Sequence, residues 1–213
     1  MYIPKAHEET RIDVLHELMR AHPFGCLVTL GEEGLLVNHI PFLLDTTAGK
    51  LGTLKGHVAR ANPLWKNFST SLESVVVFQG PHSYVSPNWY LTKHQTGKAV
   101  PTWNYAVAHA RGFPKFIEDP AWLLDMVTKL TDVHEASQQL PWKVSDAPEE
   151  FTERMLEMIV GVEIPITKIE GKWKLSQNRP KADRLGVIAG LETQGDEASQ
   201  SMVSMVMKSL RDS

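Results

Sequence analysis

The feature that most constrains the fold of this chain is a pair of strongly apolar runs joined by a short turn. Residues 25–30 read GCLVTL, residues 31–34 read GEEG, and residues 35–44 read LLVNHIPFLL. Two apolar runs around a glycine-containing turn are typical of a β-hairpin. The chain is therefore expected to build an antiparallel sheet that includes this hairpin.

Other strand-type patterns lie on both sides of a helical region. Strand character is expected at residues 51–57, from Val75 onward and at 106–110, with a short helix or helical turn over residues 58–68. Apolar and polar residues alternate at 162–167, which predicts an edge-type strand. A turn is expected at Glu170–Gly171, followed by the return strand of a hairpin at 172–175.

Helical spacing marks five further segments. Ile12, Leu15, Leu18 and Met19 follow a capping pattern at Thr10, and Asp119–Pro120 precedes a second apolar stripe. Asp146 and Pro148 introduce a third helix with Phe151, Met155 and Ile159 on one face, and two helical patterns fill the tail from Ala182. These blocks predict an α+β chain with a mainly antiparallel sheet, organised as one domain over 1–213 with a helical insertion at 119–160 and a helical tail at 180–213.

The composition describes an ordinary globular protein. A formal net charge of −3 in 213 residues lacks the strongly basic balance of a typical nucleic-acid binder, although a local basic patch is compatible with it. Cys26 is the only cysteine, the first residues lack a signal-peptide pattern, and no run reaches the ~18 to 20 apolar residues of a spanning helix. These features predict a cytoplasmic protein without a membrane segment.

Residues 75–105 carry the first indication of a ligand site. After three valines, two tracts place Trp89, Tyr90, Trp103 and Tyr105 beside proline, asparagine, serine and threonine. Such residues are poor choices for a plain core strand, but they can stack on a flat polar ring and bind its edges. The alternative is that these aromatic residues belong to the core and to a dimer interface.

The motifs of several enzyme classes are missing. HExxH, CxxC, GxSxG, GxxxxGK[ST] and GxGxxG are all absent, so zinc-hydrolase, serine-hydrolase, P-loop and Rossmann functions have no support. Cys26 lies in an apolar strand and is expected to be a buried thiol with a packing role. Histidines are scattered over separate segments, which favours structural or ligand-binding roles over a metal site.

Two groups of charged and amide residues are candidates for polar ligand contacts. Arg60 lies where a strand gives way to a helical turn, a junction that suits a phosphate, and its alternative is an exposed surface arginine. Near the end of the last strand, amide and basic side chains are close in sequence: Lys172, Lys174, Gln177, Asn178 and Arg179.

Four long motifs in order resemble the PaiB family, also called FMN-binding negative transcriptional regulators. They are GHVARANPLW at residues 56–65, FQGPHSYVSPNWY at 78–90, VPTWNY at 100–105 and GKWKLSQNR at 171–179. The resemblance implies a split β-barrel related to pyridoxamine-phosphate oxidase and the flavin reductases, with FMN bound near the interface of a homodimer. It also implies that the strand at residues 37–42 passes the flavin ring and that a basic residue after the third strand holds the phosphate.

The cofactor-binding residues expected from the motifs and from this resemblance fall in several segments: Asn38, His39, Ile40, His57, Arg60, Trp89, Trp103, Asn104, Lys174, Gln177 and Asn178. No catalytic residue and no metal ligand is predicted. The implied function is that of an FMN-binding regulatory protein in the negative transcriptional regulation of sporulation and of degradative-enzyme production, such as proteases. The alternatives are an FMN-dependent oxidoreductase, a haem-binding relative, and direct DNA recognition, for which neither charge nor a helix-turn-helix gives support.

Overall fold

A computed structural model describes residues 1–211 of the chain. Within them the strands are β1 Glu8–Glu9, β2 Phe24–Gly31, β3 Gly34–Pro41, β4 Leu43–Asp45, β5 Thr53–Ala59, β6 Ser74–Val85, β7 Thr102–Gly112, β8 Lys115–Ile117 and β9 Ile159–Lys174. The helices are α1 Ile12–Ala21, α2 Leu91–Thr96, α3 Pro120–Glu135, α4 Glu149–Glu157, α5 Lys181–Gln194 and α6 Glu197–Arg211. Short 3-10 helices occupy Lys5–His7, Pro63–Trp65, Pro87–Trp89 and Val144–Asp146. No helix of this described part combines the length and apolarity needed to cross a bilayer.

The predicted hairpin is confirmed as β2 and β3. Leu27 pairs with Asn38 in antiparallel register, and the turn ends at Gly34, whose φ of 126° suits glycine. Gly25, Leu27 and Thr29 are buried while their neighbours in the strand are more exposed, as expected for a strand with one face on the core. Cys26, predicted to be buried, is only half-buried because it points to the other face.

The strands join in the order β3-β2-β6-β7-β9-β5-β4, with β1 and β8 also paired to β9. The β1–β9, β2–β3, β2–β6, β4–β5, β5–β9 and β8–β9 pairings are antiparallel. β3 stands at one end of this order, and β9 is an interior strand.

The prediction of an edge strand, a turn at Glu170–Gly171 and a hairpin return is wrong, because β9 runs without interruption from Ile159 to Lys174. Gly171 lies opposite Glu9 of β1, and a Cβ atom at Gly171 would meet the side chain of Leu15. The glycine is therefore used for close packing, not for a turn.

Most of the predicted helices are confirmed, with two corrections. Asp119 caps α3 by accepting a hydrogen bond from the Ala121 amide, as its place before Pro120 predicts. The apolar stripe predicted for α4 is wrong, because Phe151 and Met155 are exposed and Ile159 belongs to β9. Strands β1 and β8 and the helix α2 had no counterpart in the prediction.

The described residues divide into two compact units. The first unit contains residues 1–15, 79–108 and 170–211, and its buried core includes Val85, Tyr90, Ala106, Leu175, Val187, Leu191, Met202 and Val206. The second unit contains residues 16–78 and 109–169, and its core includes Leu27, Ile40, Phe42, Leu54, Val76, Phe78, Leu123, Met126 and Ile164. The organisation into one domain with an insertion and a tail stays a prediction.

Candidate functional site

Five of the predicted cofactor-binding residues lie in the second unit, on β3, on β5 and just after β5. Asn38, His39 and Ile40 follow one another on β3, where Ile40 is buried, Asn38 is half-buried and His39 is exposed with its ring stacked 5.8 Å from that of Phe24. His57 lies near the end of β5, and Arg60 follows that strand directly.

Asn62 connects β3 to the segment that carries Arg60. Its side-chain Nδ2 donates to Asn38 Oδ1 at 2.7 Å, and its Oδ1 accepts from the Leu64 amide at 2.9 Å, which caps the 3-10 helix at Pro63–Trp65. The sequence prediction did not include Asn62, although an asparagine directly before a proline is a recognisable cap signal. Asn62 brings Asn38 and the turn after β5 together.

A glycine allows the close approach of β5 to β3. A Cβ atom at Gly56 would lie 3.0 Å from both Ile40 Cγ2 and Pro41 O, so any side chain here would push the two strands apart. His57, the next residue, has a buried Nδ1 with no hydrogen-bond partner in the described chain. Burial lowers the pKa of His57, so its imidazole is neutral at physiological pH.

The guanidinium of Arg60 is held on three sides. Nε donates to Glu157 O at 2.6 Å, Nη2 donates to Ile159 O at 3.2 Å, and Nη1 pairs with Glu118 Oε2 at 2.5 Å. The side chain of Arg60 is 35% exposed and that of Glu118 is 55% exposed. Two fixed backbone oxygens thus orient the guanidinium, while its anionic partner is a surface carboxylate.

The other six predicted residues lie in the first unit, and two of them have structural roles there. Trp89 packs its indole ring on Gly190 of α5, and Gly186 meets its backbone carbonyl, so closely that a Cβ on either glycine would clash. Gln177 accepts from the Leu175 amide at 2.7 Å and from His7 Nδ1 at 3.1 Å, and it also donates to Trp173 O. These contacts hold the loop after β9 in place.

Asn104 and Lys174 are joined to the same loop and to β7. Asn104 is fully buried; its Oδ1 accepts from Ser176 Oγ at 3.1 Å, and its Nδ2 has no partner among the described residues. Ser176 has a φ of 61°, an uncommon conformation for a residue with a side chain. Lys174 Nζ donates to Thr102 Oγ1 and to Trp103 O, whereas Asn178 is exposed.

The sequence of this chain is similar to a family of FMN-binding domains and to several proteins of fungi and bacteria. A family model described as "Putative FMN-binding domain" matches residues 1–168. An uncharacterized protein of Emericella nidulans is 38% identical over 97% of this chain and 96% of its own length. "Protease synthase and sporulation protein PAI 2" of Bacillus subtilis is 29% identical over 99% of both chains.

Solved structures are similar in fold at low sequence identity. The flavocytochrome Anf3 from Azotobacter vinelandii has a TM-score of 0.58 at 11% identity, covering 81% of this chain and 72% of its own. The FAD and heme binding protein from Mycobacterium smegmatis has a TM-score of 0.57 at 13% identity, covering 79% and 73%. The predicted fold class, an α+β split β-barrel with added helices, is confirmed.

Proposed function

This chain belongs to the PaiB family of FMN-binding domains, and we propose that it is an FMN-binding regulatory protein in which Arg60 anchors the flavin phosphate. FMN is the cofactor that the family resemblance implies, and it is the cofactor of this family. The regulatory part is supported by the similarity to PAI 2, whose name refers to protease synthesis and sporulation. The corresponding role here is negative transcriptional control of sporulation and of degradative-enzyme production.

The observation that carries this proposal is the environment of the Arg60 guanidinium. Glu157 O and Ile159 O orient the group, and Glu118 is its carboxylate partner. An exposed ion pair of this kind contributes only about 0–1 kcal/mol, whereas guanidinium–phosphate hydrogen bonds are among the stronger ones in proteins. A phosphate can therefore replace the Glu118 carboxylate while the two carbonyls keep the guanidinium in position.

Polar groups near β3 fit the ring of a flavin. Asn38 Oδ1 accepts from Asn62, which leaves its Nδ2 donor for the ring edge, and His57 supplies a neutral imidazole on β5. An amide, an imidazole and a guanidinium together match a planar polar ring that bears a phosphate. Bound FMN supplies a ring that takes up and releases electrons, and these residues would hold and orient it.

Titration with FMN, followed by quenching of flavin fluorescence, tests the assignment of Arg60. Arg60→Ala should weaken binding, and Arg20→Ala, which removes an exposed arginine whose hydrogen bond within residues 1–211 goes to Thr46, should leave it unchanged. Circular dichroism should first show that the wild-type and Arg60→Ala proteins are both folded. If the two then bind FMN with equal affinity, another residue holds the phosphate.

The regulatory role is tested separately in cells that lack the gene. Complementation with the wild-type gene should restore repression of protease transcripts, and complementation with Arg60→Ala should not. If the wild-type gene and the Arg60→Ala gene both restored repression fully, regulation would not depend on the phosphate contact of Arg60. Mobility-shift assays with promoter duplexes distinguish direct DNA contact from an indirect effect.

We also propose that the chain forms a homodimer through β3. This strand ends the sheet order, and it exposes 71% of Leu35 and 55% of Val37. An open strand edge with apolar side chains is a common pairing surface, and Asn38 and His39 on the same strand would bring the FMN site near the interface. Light scattering should give a dimer for wild-type protein and for Leu140→Glu, which alters an exposed residue outside the sheet. Val37→Glu should shift the population to monomer, and a dimer that survives it would exclude this interface.

A further inference from the structure

The first unit has an outward sheet face on which aromatic and basic side chains alternate with buried ones. β6, β7 and β9 are adjacent in the sheet order. Their outward positions carry His82, Tyr84, Trp103, Tyr105, Lys172 and Lys174, which together are named the aromatic–basic face. The intervening residues Ser83, Asn104 and Trp173 are buried, as the two-residue period of a strand requires.

Trp103 is the centre of the aromatic part of this face. Its ring centroid lies 6.1 Å from that of His82 in a tilted arrangement and 6.1 Å from that of Tyr84 in an edge arrangement. Trp103 is nevertheless 51% exposed, so its ring remains accessible for stacking. A cluster of exposed rings on a sheet is an unusual use of aromatic surface, because such rings are normally buried.

The basic part of the face lies directly beside these rings. Lys174 Nζ donates to the backbone oxygen of Trp103, and Lys172 Nζ lies 5.4 Å from the centroid of Tyr105. Arg179, in the loop after β9, lies 4.8 Å over the ring of Tyr90. Burial and the charges of Lys172 and Arg179 lower the pKa of Lys174, which indicates uncompensated positive charge around it.

Carboxylates do not neutralise these three cations. No carboxylate in residues 1–211 forms an ion pair with Lys172, Lys174 or Arg179. Glu8 is opposite Lys172 in the β1–β9 register, but the Lys172 ammonium donates to Tyr2 O instead. The face therefore has positive charge available for an anionic ligand.

The basic residues of this face also lie beyond the segment that the family model matches. The FMN-binding model ends at residue 168, before Lys172, Lys174 and Arg179. The Arg60 site, by contrast, lies within the matched region and in the other unit. Trp103 and Lys174, which the family resemblance implies as FMN-binding residues, therefore belong to a different unit from Arg60, and here we assign them to a second ligand.

We propose that the aromatic–basic face binds single-stranded nucleic acid, with bases stacked on Trp103 and Tyr105 and phosphates held by Lys172 and Lys174. Exposed rings on a sheet combined with lysines are the means by which single strands are bound with little dependence on sequence. Lys172 and Lys174 are two residues apart on one strand, about 6.7 Å along it, which suits successive phosphates of an extended strand. Three adjacent strands span about 10 Å, so two or three nucleotides occupy the face.

Fluorescence anisotropy tests this with the FMN-saturated full chain and a labelled ten-nucleotide oligothymidine. Saturable binding is expected at about 50 mM salt, and raising the salt to about 200 mM should weaken it roughly 7- to 18-fold if two or three phosphates are bound. A duplex of the same length should bind more weakly, because its bases are not free to stack. Absence of saturable binding, or equal affinity for the duplex, would overturn the proposal.

Variants separate stacking from charge. Trp103→Ala should weaken oligonucleotide binding about 5- to 150-fold without altering its salt dependence. The control is Trp142→Ala, which removes a tryptophan of the second unit that is 47% exposed, and it should not change the affinity. Lys172→Ala should reduce the slope of log affinity against log salt by about 0.7, and Lys129→Ala should not. Glu8→Gln should tighten binding by removing a nearby negative charge.

Three controls distinguish a single-strand site from a folding defect, from a mononucleotide site and from a flavin site. Trp103→Phe keeps a ring and should retain most of the affinity, which guards against misinterpreting a folding defect in Trp103→Ala. Adenosine monophosphate that binds as tightly as the oligonucleotide would indicate a mononucleotide site and overturn the proposal. Competitive displacement of the oligonucleotide by excess FMN would show that the face is a flavin site, and would leave Arg60 to be judged by its own titration.

Discussion

The proposed exchange of the Glu118 carboxylate for a phosphate at Arg60 makes an unusual prediction, because removal of a charged residue should improve binding. Glu118→Ala removes the competitor of the phosphate for Nη1 of Arg60. Since an exposed pair contributes up to about 1 kcal/mol, FMN should bind up to about 5-fold more tightly. Arg60→Ala removes a charge-assisted contact of about 1.5–3 kcal/mol and should weaken FMN binding roughly 12- to 150-fold.

The assay is a fluorescence titration of FMN against four proteins that form a double-mutant cycle. If Glu118 acts only through Arg60, Glu118→Ala should have no effect in the Arg60→Ala background. Asp125→Ala is the matched control, because Asp125 is an equally exposed carboxylate that pairs with Lys129 on α3. Weaker FMN binding by Glu118→Ala would refute the exchange, since it would mean that the carboxylate supports the bound phosphate and does not compete with it.

Three further predictions concern stability. Burial lowers the pKa of His57 below its ordinary value of 6.5, so the unfolded chain binds more protons than the folded chain as the pH drops below 6.5. The free energy of unfolding measured by urea denaturation should therefore fall over that pH range, and His57→Gln should make the fall smaller. In an exposed helix, a change from glycine to alanine raises helix stability by up to about 1 kcal/mol. Gly190→Ala should instead destabilise the protein by about 1–3 kcal/mol, because the new methyl group meets Trp89; a higher Tm by calorimetry would contradict this packing. Asn62→Ala loses a helix cap and the bond to Asn38, and should lower the free energy of unfolding by about 0.5–2 kcal/mol in the same urea assay, where no loss would mean that the cap is dispensable.

Local signals account for the parts of the fold that could be predicted. The β2–β3 hairpin follows from two apolar runs around a glycine turn, and α3 follows from aspartate before proline. Both depend on residues adjacent in sequence, so a single sequence contains the needed information. The motifs that resemble the PaiB family added the split-barrel class, which local patterns alone do not specify.

The errors arose where distant residues decide the local structure. Glu170–Gly171 has the composition of a turn, yet Gly171 continues β9 because Leu15 packs where its side chain would be. The contacts of Arg60 with Glu118 and Glu157 join residues 58 and 97 positions apart, and no spacing rule predicts them. Trp89 is predicted as a cofactor-binding residue with a core role as the alternative, and the partners on α5 that it packs against lie about a hundred positions later, beyond the reach of a local pattern.

The packing of Trp89 against α5 shows that the segment matched by the family model does not contain all the packing that one of its own residues needs. The family match ends at residue 168, but Gly186 and Gly190, on which Trp89 rests, lie beyond it. A chain shortened to the matched region would keep the tryptophan and lose the surface beneath it, which would leave a large aromatic side chain in water. Exchange of domains between relatives should therefore move α5 and α6 together with the 3-10 helix at Pro87–Trp89.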